Sequence, residues 1–280
     1  MCLYADTGDL TNTDHRQRQN NAITGDNSRQ SSISDSDLLI RTIYSDMDSQ
    51  SLSSISGKEE YFRERVILAA RNVDVDKINE AALNLLPGQS KIYLSADEAT
   101  GDSANTSHVP LEYLNSIVIP GMALHSITIK IGCPIMLLRN LCPPRGLCNG
   151  TRMVITAMGE RVIEAKILMG VHKGTFAFLP RISMDSTAAP GLPFTLRRHQ
   201  YPFRSAFAMT INKSQGQSIS NVGVHLLTPV FSHGQLYVAL SRVTDCHNLC
   251  ILLPSNNNAS TTADVQNATE NIVYKEVLQP

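Results

Sequence analysis

Two segments of this 280-residue chain concentrate side chains that can meet phosphate. The first is Phe207-Ala208-Met209-Thr210-Ile211-Asn212-Lys213-Ser214-Gln215-Gly216-Gln217-Ser218, an apolar run that ends in a dense set of polar donors and a glycine. Donors at the C-terminal end of a parallel strand, facing the start of a helix, are well placed for phosphate or sugar. The second is Gly234-Gln235-Leu236-Tyr237-Val238-Ala239-Leu240-Ser241-Arg242-Val243, an apolar helical face that delivers Arg242 after Ser241. A guanidinium stays charged and forks onto phosphate oxygens. Both have plainer readings. A TxxKSQG string also serves as a capped helix start, and an arginine at a helix end is commonly a solvated charge.

Further candidates are weaker. Arg197, Arg198 and His199 form a basic run just before the first segment, either a solvated face or a neighbour of phosphate. Asn149, Gly150 and Thr151 read as a hairpin turn or as a turn that shapes a binding channel. The six cysteines form no CxxC pair and no histidine pair stands at finger spacing, so no metal site is expected. Free thiols fit an intracellular, reducing compartment.

The elements that must position these residues follow from periodicity. Val66–Ala70 is a short apolar run of the kind buried in a strand. Asn72 stands at an N-cap position, and Val75, Ile78, Ala82 and Leu85 follow at helical spacing until Pro87-Gly88. This strand–turn–helix unit builds parallel α/β sheets. Lys91–Ala96 reads as a further strand. In the middle, Ile127–Ile131, Pro134–Arg139, Met153–Ala157, Val162–Leu168 and Phe176–Ile182 are short β-type runs, spaced as in a small barrel or curled sheet. The α/β pattern resumes with strands at Ala206–Thr210, Val222–Leu227 and Leu249–Leu253 and a helix over Gln235–Val243. Residues 1–57 are polar and Ser-rich, which predicts disorder apart from a short helix near Asp37–Tyr44. The Ser255–Thr269 tail reads as equally loose.

Composition narrows little. A formal charge of −1 means that any nucleic-acid role rests on placed residues and not on the average. The stretch around Ile131–Leu138 is broken by Gly132 and Pro134 and is far short of the ~20 residues of a membrane helix, so no membrane partner is expected.

The motifs themselves carry a resemblance. "AFAMTINKSQGQS" resembles motif V of the Pif1-like DNA helicases and "GQLYVALSRV" their motif VI. "FRERVILAARNVDVDKINEAALNLLPG" is similar to the motif IV region, and "GCPIMLLRNLCPPRGLCNGTRMVI" and "LPFTLRRHQYPFRSAFAMT" also follow the pattern, most closely that of the Helitron-type branch. The resemblance spans roughly residues 60 to 253. It implies the second RecA-like domain of a superfamily-one helicase that moves 5′ to 3′ on single-stranded DNA. The implied layout is a polar leader at 1–57, a first RecA-like part at 58–133, an SH3-like β insertion at 134–182, a second RecA-like part at 183–254 and a tail at 255–280.

By the same resemblance, Arg242 is the catalytic finger toward the γ-phosphate of ATP, and Gln215 and Gly216 lie near the nucleotide. Thr210, Asn212 and Lys213 touch the DNA backbone, joined by Arg197, Arg198, Asn149 and Thr151. Asn212 stands where many relatives carry histidine. ATP and Mg²⁺ are the implied cofactors, and DNA repair, recombination, telomere maintenance and transposition the implied settings, in the nucleus first and the mitochondrion second. The sequence contains no GxxxxGK[ST] loop to cradle phosphates. The implied partners are therefore single-stranded DNA and a first RecA-like domain bearing the Walker loop, in cis or in trans. Two other readings stand beside this: a non-catalytic, single-strand-binding remnant of a transposon helicase, and an inert remnant.

Overall fold

The computed structural model describes residues 2–3, 34–47, 54–101, 109–186, 192–254, 269 and 271–274. Strand β2 (Arg65–Ala69) is buried on both faces from Val66 onward, the mark of a parallel sheet covered on both sides. It sits inside a five-stranded sheet ordered β1-β15-β14-β2-β13, with β1 at Cys2–Leu3, β13 at Ala208–Thr210, β14 at Asn221–His225 and β15 at Leu249–Leu252. β13, β2, β14 and β15 are parallel, and β1 adds antiparallel at the β15 edge. Alternate side chains of β2 serve opposite layers. Ile67 and Ala69 share a core with Ile40 of α1 (Asp35–Ile43) and Ile78 of α3 (Asn72–Leu85). Val66 and Leu68 share the other with Ile211, Ile219 and Ala239 of α5 (Gln235–Leu240).

Helix α1 forms where a short helix was expected near Asp37–Tyr44, and it is packed on the sheet where the rest of the leader was expected to be disordered. Ser34 caps it by accepting from the Asp37 amide at 3.1 Å, and Leu39, Ile40 and Ile43 are buried. Its narrow apolar face gains its burial only against the sheet. The seat is provided by Gly223 of β14, where a Cβ would stand 2.8 Å from Ile43 Cγ1 and 3.3 Å from Leu39 Cδ1. Residues 1, 4–33 and 48–53 of the expected leader, and nearly all of the Ser255–Thr269 tail, lie outside the described residues. α2 (Ile55–Arg63) then leads into β2.

The end of β14 links pH to this packing. His225 is buried, its Nε2 lies 3.0 Å from Ser36 Oγ in the first turn of α1, and burial lowers its pKa below 6.5, opposed by Asp74. A lowered folded-state pKa contributes stability above the unfolded value that is lost as pH falls through the mid-sixes. We expect the urea midpoint to decline as pH falls below about 6.5, and the decline to be shallower in His225→Gln. Equal slopes in the two proteins would assign the acid sensitivity to other groups.

α3 starts one residue away from the expected cap. Arg71 is the N-cap and makes no side-chain cap bond. Asn79, buried on this helix, donates from Nδ2 to the Ala208 carbonyl at 3.2 Å and accepts from the Ala208 amide at 2.8 Å. It thereby satisfies the open edge of β13, as a further strand would.

The strand expected near Lys91–Ala96 forms as β3 (Ser90–Leu94), but it pairs antiparallel with β5 (Ser126–Lys130) and takes no part in the parallel sheet. The β region is thus wider than 134–182. β4 (Ala96–Thr100), β10 (Ile182–Asp185) and β11 (Thr195–Gln200) make a three-stranded antiparallel sheet, and α4 (Leu111–Ser116) lies between β4 and β5 in sequence. A five-stranded antiparallel sheet is ordered β12-β6-β7-β8-β9, from Phe203–Ser205, Pro134–Leu137, Arg152–Met158, Val162–Ile167 and Phe176–Pro180. Arg152 pins it to the parallel sheet. Its buried Nη2 donates to the carbonyls of Phe62 and Arg65, each at 3.0 Å, and of Ala206 at 3.4 Å.

Candidate functional site

Strand β13 ends at Thr210, and the chain tightens into a 3-10 turn, Ile211–Ser214, whose Ile211 and Ser214 are buried. Ser214 Oγ donates back to the Ile211 carbonyl at 2.6 Å, and the Gln217 amide donates to the Ser214 carbonyl at 3.0 Å. Gly216 closes the bend at φ +78°, with nothing within 4 Å of an added Cβ. Here the glycine is required by backbone conformation and not by space. Anchoring of the apolar positions turns Asn212, Gln215 and Gly216 outward and leaves Thr210 and Lys213 half-buried.

Arg242, just past α5, meets this turn. Its Nε donates to the Val238 carbonyl at 2.9 Å, Nη2 to Ser241 Oγ at 2.8 Å, and Nη1 to the carbonyls of Gln217 at 3.1 Å and Ser214 at 3.4 Å. The Ile219 amide donates to the Arg242 carbonyl at 3.0 Å, which fastens the two segments by backbone as well. Every partner of the guanidinium is neutral. Among the described residues no carboxylate lies within ion-pair distance of it. A half-buried cation with only dipoles around it keeps its attraction for an anion.

The turn at Asn149–Thr151 stands on the antiparallel sheet. The Asn149 amide donates to Asn140 Oδ1 at 2.8 Å, while Thr151 Oγ1 donates to the Gly146 carbonyl at 2.8 Å and accepts from the Cys148 amide at 3.1 Å. The Thr151 hydroxyl is therefore occupied in holding its own turn. Gly150 and Thr151 nevertheless line one cleft of about 380 Å³ together with Gly216, Gln217 and Ser218.

The basic run divides. Arg197 is half-exposed and forks onto Asp185 at 2.8 and 3.0 Å. Arg198 does not meet solvent: its side chain is 1% exposed and that of Asp97 0%. Its Nε and Nη2 reach Asp97 at 2.7–3.1 Å, and the remaining donors reach the carbonyls of Leu114, Ile117 and Ala123 at 3.0–3.2 Å. The expectation of a phosphate contact at Arg198 is corrected accordingly. All its hydrogens are spent on protein oxygens.

Sequence reasoning missed Arg204 and Asp76. Nη2 of Arg204 donates to Asp76 Oδ1, beside Thr210 and Lys213. The available signal was a basic residue entering the first motif on a strand.

The fold is a parallel α/β sheet with a large antiparallel β insertion, and its two phosphate-type segments meet at the β13 edge. The family model described as the 2B domain of the DNA helicase Pif1 matches residues 112–158, and a model described as helicase matches 195–275. The ATP-dependent DNA helicase PIF1 of Homo sapiens is 32% identical over 190 residues, covering 66% of this chain and 26% of that protein. The Rattus norvegicus protein of the same name is 32% identical over 188 residues, covering 66% and 27%. In fold, the chain is similar to a Bacteroides Pif1 helicase crystallised with ADP-AlF3 and single-stranded DNA, with TM-score 0.52, 19% identity, and coverage of 86% of this chain and 52% of that one. Over about two thirds of its own length the chain is similar to Pif1 DNA helicases. It spans about a quarter of the length of the curated relatives it matches. Among the described residues no helix is long and apolar enough to cross a membrane.

Proposed function

We propose that this chain forms one wall of an ATP-dependent, 5′-to-3′ single-stranded DNA motor whose opposite wall is a Walker-bearing RecA-like domain, supplied in cis or in trans. The observation that carries the reading is Arg242, a cation held on the Ser214 and Gln217 carbonyls with no carboxylate among the described residues to neutralise it. ATP supplies the phosphoanhydride whose cleavage drives movement. The chain's own residues fit it: Arg242 offers charge to the transferring phosphoryl group, and Gln215 and Gly216 offer exposed amide groups beside it. Mg²⁺ belongs to the opposite wall. Thr210, Asn212 and Lys213 follow the DNA backbone, with Arg197 and the Asn149–Thr151 turn at the margin of that path. The antiparallel region takes the part of the SH3-like module. The setting is intracellular DNA, in the nucleus or the mitochondrion.

ATPase measurement with and without single-stranded DNA tests this, comparing the 280-residue chain with a version extended by a Walker-bearing half. The extended protein should turn over and respond to DNA, and the chain alone should not. An extended protein without DNA-stimulated turnover would overturn the reading.

The chain by itself should still bind single-stranded DNA through phosphate contacts. Lys213→Gln should reduce the slope of log affinity against log salt by about 0.7, the release expected for one phosphate contact on a single strand. Fluorescence anisotropy across a salt series measures it. An unchanged slope would remove Lys213 from the path.

A further inference from the structure

Arg204 comes to the Thr210–Lys213 turn from the other sheet. β12 pairs with β6 in the antiparallel sheet, Arg204 opposite Met136, and its side chain extends over the first turns of α3. Nη2 donates to Asp76 Oδ1 and Nη1 to Asn72 Oδ1 at 3.3 Å. The same residue lines a recess with Thr210 and Lys213. Three groups of different origin thus meet at the C-terminal ends of β2 and β13: a guanidinium from the antiparallel sheet, an ammonium from the motif V turn and a carboxylate from α3.

The charges do not balance. The Lys213 ammonium has no hydrogen-bond or ion-pair partner among the described residues. Its pKa is lowered first by burial and then by the Arg204 charge, and Asp76 only partly offsets this. Two partly buried cations share one carboxylate, so the cluster favours a second anion. The ion pair already there is a weak lock. The side chains of Arg204 and Asp76 are 20% and 43% exposed, a pair that water screens, and burial raises the Asp76 pKa against the effect of Arg204. A phosphodiester could use the fork of Arg204, the point charge of Lys213 and the hydroxyl of Thr210 together, and its binding releases condensed counterions.

We propose that Arg204 is a phosphate-binding residue of the single-stranded DNA path, and that Asp76 holds one arm of its fork in the free protein and gives way when a backbone phosphate arrives. The inference rests on the DNA-binding reading above and adds to it a contact and a built-in competitor. Asp76 acts on DNA only through Arg204, so it is a positioning residue. Its charge sets how strongly the path prefers a polyanion to a lone phosphate.

Anisotropy with a single-stranded oligothymidylate tests this on the full chain across a salt series. Arg204→Gln should weaken binding about fivefold near 0.1 M salt and lower the salt slope by about 0.7. Asp76→Asn should tighten binding about threefold, the release of a part-exposed pair, and in the double variant Asp76→Asn should give no gain. Thermal midpoints identify a variant that fails to fold. If Arg204→Gln does so, the tightening in Asp76→Asn decides alone. Inorganic phosphate and ATP are the competing sources of the same chemistry, and they should displace DNA only through ionic strength. Arg204-dependent binding of either, with DNA affinity unchanged in Arg204→Gln, would overturn the proposal. Lys213→Gln separates the two claims. If it weakens binding while Arg204→Gln and Asp76→Asn change nothing, only the Arg204 inference falls. If wild type does not bind the oligonucleotide, the DNA reading falls with it.

Discussion

Arg242→Ala, placed in an enzyme that also contains the Walker-bearing wall, should lower DNA-stimulated ATP turnover by about a thousandfold or more. The magnitude is that of an arginine finger on a transferring phosphoryl group, roughly 10³–10⁵ in rate. The geometry is favourable because the guanidinium is already desolvated on one side and oriented by four neutral oxygens. Little reorganisation is then needed when charge develops. Arg242→Lys should rescue little, because an ammonium is a point charge without the planar fork. The loss should appear in kcat, with DNA affinity changed far less. Arg242 also ties the Ser214–Gln217 turn, so a structural effect must be separated from a chemical one. Loosening of that turn would raise the KM and weaken DNA binding in Arg242→Ala and Arg242→Lys alike. A kcat that survives in Arg242→Ala would sink the finger assignment.

Arg198→Met should destabilise the fold far more than Lys213→Gln, Arg204→Gln or Asp76→Asn, by about 3–5 kcal/mol, because it leaves the Asp97 carboxylate buried without its partner. Asp97→Asn should cost a similar amount from the other side. For a chain of this size that corresponds to a fall in thermal midpoint of roughly 10 °C. The reason is the depth of the pair: neither side chain meets solvent. The guanidinium joins three pieces of chain through Asp97 of β4, the Leu114 carbonyl of α4 and the carbonyls of Ile117 and Ala123. Arg198→Met combined with Asp97→Leu should recover much of the loss, since an apolar pair of similar volume is often as stable as a buried ion pair. Urea titration of wild type, the two single variants and the double variant closes the cycle. In the folded fraction of Arg198→Met the salt slope of DNA binding should match wild type. A slope reduced by about one contact would restore Arg198 to the phosphate path.

These two arginines show how far the sequence reached. Burial alternates along β11, so one member of Arg197-Arg198 had to face inward. Which one was not legible, because it depends on Asp97, 101 positions away, presenting both oxygens to the inner face. Arg204 and Asp76 escaped for the same reason, at a separation of 128. Helix α1 lies between these cases. Its periodicity was visible near Asp37–Tyr44, but only the absence of a side chain at Gly223 makes room for it on the sheet.

By itself the sequence determined the α/β frame, the run of short β segments in its middle, and the two motifs carried by the strand–turn around Thr210–Gly216 and the helix before Arg242. Those features are written in local periodicity and in residue types a few positions apart. The tertiary structure alone decided that the Arg242 guanidinium meets the Ser214 and Gln217 carbonyls, that β3 leaves the parallel sheet for β5, and which basic side chains are free to meet an anion. Burial and ion pairing are set by whichever distant segment packs alongside, and no window of sequence contains both partners.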